Sequence, residues 1–248
     1  MKSTLTVIGS RSVLQLQQSE IRNRLLAALT VNDFARLSST LERVSLEVNA
    51  TVLKPHEPIE YAYFVESGVC SYLANAQDSR IETGLIGREG MVGTPLVLGA
   101  DRGPFTALIQ GQGEALRISA ADLCAALDAS RALRGLLGRY VQSFIVQIGG
   151  TTYANADLTI EGRLARWLLM YQDRFEQNDL PITHEFLSLM LGVRRAGVTT
   201  ATHALEGAGM IQARRGRITV LDREKLEDMA GDTYGAAEAE YDRLIAGA

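Results

Sequence analysis

The stretch from Pro181 to Asp222, PITHEFLSLMLGVRRAGVTTATHALEGAGMIQARRGRITVLD, carries the most information in the chain. Thr183 is a candidate helix N-cap, and Phe186, Leu187, Met190 and Leu191 come after it at helical spacing until Gly192, which can adopt the left-handed conformation of a tight turn. Beyond the turn, Val193, Val198, Ala201 and Leu205 share one face of a second helix, while Arg195, Ala196, Thr199, Thr200 and His203 share the other. The second helix packs one side and offers the other. Arginine can donate two hydrogen bonds to a guanine edge, and threonine reaches a base or a thymine methyl, so the offered face has the chemistry of a helix entering a DNA major groove. A solvated helix face would look similar on this helix alone.

The residues after the helix separate the two. Gly209 ends it, MIQA and ITVL read as short strands, and the turn between them is Arg214-Arg215-Gly216-Arg217, with Gly216 suited to positive φ. A hairpin tipped with arginines looks like the wing of a winged helix-turn-helix. From Pro181 to Arg223 six arginines face Glu185, Glu206 and Asp222, about +3 in a chain of formal net charge −4, which leaves −7 for the remainder. A basic island in an acidic protein is the electrostatic footprint of a DNA-contacting module. Base contacts are expected from Arg195, supported by Thr199, Thr200 and His203; phosphate contacts are expected from Thr183, Arg194, Arg214, Arg215 and Arg217.

Upstream, between Glu42 and Ile118, short alternating runs are punctuated by turn residues: RVSLEV, TVL, YAYFVE, VCSYLA, IETGLIG and EALRI. Strands of this length and spacing make a sandwich or barrel-like roll. Before them, IRNRLLAAL and VNDFARLSSTL suggest two short helices, and after them SAADLCAAL suggests another. From Arg131 a long helical pattern places Leu137, Val141, Phe144, Ile148, Thr151, Asn155 and Leu158 at alternating spacings of four and three, a heptad seam suited to dimerisation. Thr159 is a plausible cap for the next helix, whose stripe is Arg163, Leu164, Trp167, Leu168 and Tyr171; Gln172 to Leu180 reads as polar linker.

The order TIEGRLARWLL, PITHEFLSLMLGVRRAGVTTATHAL, GMIQARRGRITV, preceded by FVESGVCSYL and IGREGMVG, resembles the Crp/Fnr superfamily of catabolite-activator-like transcription regulators over nearly all of the chain beyond its first twenty residues. The resemblance implies an α+β protein: an N-terminal tail (1–19), a cyclic-nucleotide-binding-type β-roll, or double-stranded jelly roll (20–130), a long dimerisation helix (131–158), a winged helix-turn-helix (159–230) and a C-terminal helical extension (231–248). It implies double-stranded DNA and a second copy of the chain as partners, with recognition helices about 34 Å apart on a pseudo-palindromic operator. Activation would add contact with RNA polymerase, and no residues mark such a surface.

The resemblance also places a ligand pocket, and the sequence departs from it there. Cyclic-nucleotide-binding relatives carry Gly-Glu for the ribose where this chain has Gly93-Thr94, and a phosphate-binding arginine where it has Gly103, one residue from Arg102. Ile148 and Gly149 stand where such relatives place hydroxyl residues on the long helix. No cyclic nucleotide or other cofactor is therefore expected, with Gly93, Thr94 and Arg102 the remaining candidates for a ligand pocket. The alternative is a small-ligand module, for a cyclic nucleotide, whose DNA-binding half is gated by ligand or vestigial.

Composition excludes other classes. Two cysteines, Cys70 and Cys124, and three scattered histidines build neither a zinc site nor a four-cysteine iron–sulfur cluster, and no cluster has nucleophile spacing, so neither a metal nor an enzyme is expected. With 46% hydrophobic residues but no apolar run near twenty, and an N-terminus too broken for a signal peptide, the chain is expected to be cytoplasmic and not membrane-bound.

Overall fold

The computed structural model describes residues 16–75, 80–175 and 177–246. Two four-stranded antiparallel sheets form the roll. One runs β1 (Glu42–Leu46), β8 (Gly113–Ser119), β3 (Tyr61–Val65), β6 (Met91–Val92); the other runs β2 (Thr51–Leu53), β7 (Thr106–Gly111), β4 (Val69–Asn75), β5 (Arg80–Ile86). Sequence patterning finds six of these strands and misses β6 and β7. The latter, TALIQG, lies between β2 and β4. Its Gln110 is buried and its side-chain amide points at Met190 Sδ (3.8 Å), so the strand lacks the wet face that alternation requires.

Short helices close the roll. Asn23 caps α1 (Arg24–Ala27), Thr30 caps α2 (Val31–Ser38), and Ser119 caps α4 (Ala120–Ala129), each side chain accepting from a backbone N–H of the first turn. A single turn, α3 (Thr94–Val97), comes after Gly93. Residues 16–19 are not a loose tail: Leu16 packs on the roll core, and the Gln18 amide donates to the carbonyls of Leu26 and Leu29. The rest of the expected tail, 1–15, lies outside the described residues.

The long helix α5 (Arg131–Asp157) lies against the roll, and Gly84 on β5 is what lets it come so close. A Cβ there would stand 2.8 Å from the Phe144 ring, so any side chain would push α5 away. The sequence-expected seam is corrected by the packing. Leu137, Val141 and Phe144 are buried in the chain's own roll core, and Ile148 packs on it. Thr151 accepts a hydrogen bond from Arg166 Nη1 (3.1 Å) on the next helix, and Asn155 is partly buried. The open stripe is displaced by one residue, to Gly138, Gln142, Ile145, Gly149, Thr152 and Ala156. These also alternate by four and three. Ile145 is 54% exposed, and nothing lies within 4 Å of a Cβ built on Gly138 or Gly149.

Helix α6 (Ile160–Phe175) starts at Thr159, whose hydroxyl accepts from the Gly162 N–H (3.3 Å), and is buried nearly all round. Within the expected linker Gln172 to Leu180, residues 172–175 are instead the last turn of α6, and Asp179–Leu180 form a strand, β9. Leu164, Leu168 and Tyr171 join Val69, Leu73 and Leu85 of the roll in the core that continues into the C-terminal domain. Strand β4 is thus covered on both sides: Cys70 and Tyr72 face the roll interior, Val69 and Leu73 face α6 and beyond. That is why VCSYL is a continuous buried run.

The junction traps a carboxyl group. Glu82 of β5 is 4% exposed; its Oε1 accepts from Trp167 Nε1 (2.6 Å) and its Oε2 from the Ser71 hydroxyl, which also lies 3.6 Å from Met190 Sδ. Burial pushes the Glu82 carboxyl up from its ordinary 4.5 to about 7, against the opposing pull of the Ser71 and Trp167 hydrogen bonds and of Arg174 and Arg166. A raised folded value means that the native state holds the proton more tightly than the unfolded chain, so this group lowers stability as pH rises from about 4.5 to about 7 and keeps it lowered above that. Glu82→Gln retains an acceptor for Trp167 without the charge. It should raise the unfolding temperature by roughly 4–10 °C at pH 8 and by far less at pH 5, through a gain of at most about 2–3 kcal/mol. Thermal unfolding of both proteins at the two pH values checks this, and an equal shift at both would contradict a burial-shifted carboxyl.

Candidate nucleic-acid interface

Helix α7 (His184–Leu191) opens where the sequence places it: Thr183 Oγ1 accepts from the Phe186 N–H (3.2 Å). Gly192 ends it at φ +63°, in the left-handed region, and its N–H closes onto the carbonyls of the last turn. Helix α8 (Arg195–Gly207) then begins, with Val198, Ala201 and Leu205 fully buried against α6 and α7. After Gly209 (φ +71°) come β10 (Ile211–Arg214) and β11 (Arg217–Val220), joined by Arg215 and Gly216, the latter at φ +75°. Strand β9 pairs with the far edge of β11 and makes the wing a three-stranded sheet, a strand that the sequence reading missed because it is two residues long.

Arg194, Arg195, Thr200 and His203 are exposed on one side of α8, as are Thr183 at the head of α7 and Arg214 and Arg215 on the wing. Three of the expected contact residues are partly committed elsewhere. Thr199 is half-buried, donates to its own helix at the Arg195 carbonyl (3.1 Å) and lies 3.2 Å from His184 Nδ1. The Thr200 hydroxyl likewise turns back to the Ala196 carbonyl (3.1 Å), although the residue stays exposed. Arg217 is ion-paired with Asp179 of β9. His184, not singled out in the sequence, joins this face; burial, then the charges of Arg195 and His203, hold its imidazole below the ordinary histidine range. Its position at the first turn of α7 was the available signal.

The domain is bolted to the roll by the Trp167–Glu82 hydrogen bond and by the seating of Gly192, where a Cβ would stand 2.9 Å from Ile81 Cδ1 on β5; within the domain, Arg163 on α6 donates to the Leu191 carbonyl at the end of α7. Behind it, α9 (Arg223–Ala230) packs on α6. The chain then returns to the roll through a short 3₁₀ turn (Gly231–Thr233), α10 (Ala236–Tyr241) and a final turn (Asp242–Ala246). This return is not a detached extension: Tyr241 and Ile245 are buried in the roll core.

The candidate ligand residues do not assemble. Gly93 (φ +107°) precedes α3 with its backbone against Ala62, and Thr94 is buried beside Tyr72. Arg102, the third candidate, is exposed and forms a two-pronged pair with its neighbour Asp101 (3.0 and 2.8 Å). Between these residues and α5, Tyr72 packs on Phe105 (centroids 4.9 Å) and edge-on to Phe144 (5.5 Å). Among the described residues no group of three His, Cys, Asp or Glu is placed to hold a metal ion, and no helix is long and apolar enough to cross a membrane.

Residues 162–229 match the model of the Crp-like helix-turn-helix domain. Among solved structures, a Crp/Fnr-family transcriptional regulator from Eubacterium rectale is similar with a TM-score of 0.67 at 17% identity, over 83% of this chain and 97% of that one. The c-di-GMP responsive global regulator CLP of Xanthomonas campestris gives 0.63 at 20% identity, over 77% and 99%. FixK2 of Bradyrhizobium japonicum gives 0.66 at 15%, over 77% and 98%. A comparison with curated proteins found no match. The likeness is one of fold: a β-roll, a long helix and a Crp-like helix-turn-helix in this order. Residues 162–229 are thus a Crp-like helix-turn-helix domain, carried on a chain whose fold is shared with these regulators.

Proposed function

We propose that the chain works as a homodimer that reads a two-fold symmetric operator without a cyclic nucleotide. The observation that carries this reading is the pairing of two unsatisfied surfaces. Helix α8 and the wing present Arg194, Arg195, Arg214 and Arg215 to solvent, and α5 presents a heptad stripe of small residues around Ile145. One α8 spans a single half-site, so specific affinity calls for two copies. A stripe with Gly138 and Gly149 facing outward lets two helices approach closely. Arg195, Thr200 and His203 serve as base-contacting residues, with Thr199 in a lesser role; Thr183, Arg194, Arg214 and Arg215 hold phosphates, and Arg217 does so only by leaving Asp179. The Arg102–Asp101 pair and the ring stack of Tyr72, Phe105 and Phe144 support a roll that takes no cyclic nucleotide. The protein acts in the cytoplasm, where its DNA is.

Selection from a randomised duplex pool, with and without cyclic AMP, tests the reading: a two-fold symmetric site should enrich equally in both. Enrichment only with the nucleotide would overturn the ligand-independent part, and no enrichment in either would overturn the whole. On that site, Arg195→Ala should cost about 1–3 kcal/mol and relax the preference at one base pair per half-site, whereas Arg215→Ala should weaken specific and random DNA alike and reduce the salt slope by about one. Equal loss on both DNAs for Arg195→Ala would remove its role in base reading.

The stripe has its own test. A Cβ built on Gly149 has nothing within 4 Å, and leucine is a better helix former than glycine by about 1 kcal/mol, so Gly149→Leu should fold at least as well as the natural sequence. It should nevertheless shift sedimentation from dimer toward monomer by an order of magnitude or more in dissociation constant and weaken operator binding. An unchanged dimer would place the interface elsewhere.

A further inference from the structure

Given the DNA-binding reading above, on which this inference rests, we propose that the operator backbone flanking each half-site continues onto the roll. It enters an open groove between α7 and the β2–β7–β4–β5 sheet, where Arg80 and Lys54 hold its phosphates. Each strand of that sheet gives the groove one residue, Thr51, Thr106, Asn75 and Arg80, and Lys54 follows just beyond the end of β2. Thr183 and Arg194, just before and just after α7, line the same groove, so it is continuous with the surface assigned above to phosphates.

Charge is the first observation behind this. Lys54, Arg80 and Arg194 line the groove against a single carboxylate, Glu185. Outside Pro181–Arg223 the chain sums to −7, yet both charged residues that the roll turns toward the groove are cations. Arg80 and Arg194 are exposed, and neither has an ionic partner among the described residues. Lys54 pairs with Glu57 (3.2 Å), but the two side chains are 52% and 60% exposed, and so open a pair holds weakly enough to exchange for a phosphate. On the α7 wall, the Thr183 hydroxyl oxygen accepts from the Phe186 N–H, which leaves its own proton for a phosphate oxygen.

Distance is the second. Arg80 is next in sequence to Ile81, whose side chain meets Gly192, and Gly192 is two residues from Arg194. Those links hold the Cα atoms of Arg80 and Arg194 within about 20 Å, a span over which one DNA strand carries about six phosphates. A strand that meets Arg194 therefore brings further phosphates within reach of Arg80. The groove is also the wrong shape for a small molecule. It is open, with a volume of about 1260 Å³, and none of the buried, unpartnered side-chain atoms of the described residues lines it. An acidic protein segment would match the charge as well, but the groove lies between residues that the DNA reading already requires, which favours the nucleic acid.

Binding of the full chain to its two-fold symmetric site is measured by fluorescence anisotropy over a range of salt concentrations. One duplex is trimmed to the half-sites, and the other is extended by about ten base pairs, one helical turn, at each end. On the extended duplex Arg80→Ala should weaken binding roughly five- to tenfold and reduce the salt slope by about one, and adding Lys54→Ala should bring the reduction to about two. On the trimmed duplex each variant should lose less than about twofold. Arg80→Lys should recover most of the affinity, because a phosphate accepts either cation. Unfolding temperatures should not change, since both side chains are exposed and lie outside the cores. Wild-type affinity and slope in the double variant, with Arg215→Ala still weakened, would overturn the proposal and leave the DNA-binding reading standing; this is the result expected if the groove serves an acidic protein segment. Equal losses on the two duplexes would also overturn it, by placing the contacts within the half-site. Failure of the natural protein to bind either duplex would remove both readings.

Discussion

Helix α5 must satisfy several neighbours at once, and the rest of the molecule is arranged around how it does so. Its large side chains, Leu137, Val141 and Phe144, go into the roll, where Gly84 opens the space for Phe144. On another side it carries the C-terminal return and receives Arg166 from α6. That guanidinium donates to Thr151 and to the carbonyls of Thr233 and Gln147. Burial pulls Arg166 down to about 10, which still leaves it charged at neutral pH, so three acceptors around one buried cation tie the end of α5, the start of α6 and the return together. What is left over is a strip of glycine, glutamine, threonine and alanine around Ile145. The surface that α5 still offers is therefore what the chain's own packing leaves open.

The same economy of surface joins the roll to the DNA-binding domain. Strand β4 has no wet face over Val69 to Leu73, because α6 and the helix-turn-helix cover the side turned away from the roll interior. The shared core contains one conflict, Glu82, whose carboxyl is desolvated between Ser71 and Trp167. A shift of the domain relative to the roll would rewet that group, so the protonation of Glu82 and the seating of the helix-turn-helix are linked by the same contacts.

Local rules carried the sequence reading furthest where neighbours in sequence are neighbours in space. Thr183 as cap, Gly192 and Gly216 at positive φ, and the division of α8 into a buried Val198–Ala201–Leu205 side and an exposed Arg195–Thr200–His203 side all come from helix period and turn stereochemistry. The reading failed where several solutions were locally equivalent. Leu137, Val141 and Phe144 form as good a heptad as Gly138, Gln142 and Ile145, and a better one by apolarity. The larger residues are the ones that the nearer core takes. Arg102 stayed a candidate for a ligand pocket, and a carboxylate one residue away takes its guanidinium.

Short-range pattern was sufficient to define the class of protein: a basic winged helix-turn-helix behind a strand-rich domain and a long helix is written in caps, glycines, periodicity and charge. Three outcomes were open until the chain packed on itself: which face of α5 stays uncovered, that Glu82 is buried at a domain junction, and that the last helices return to bury Tyr241 and Ile245 in the roll core. They depend on contacts between residues far apart in the chain, where burial and competition for partners, rather than local pattern, set the energy.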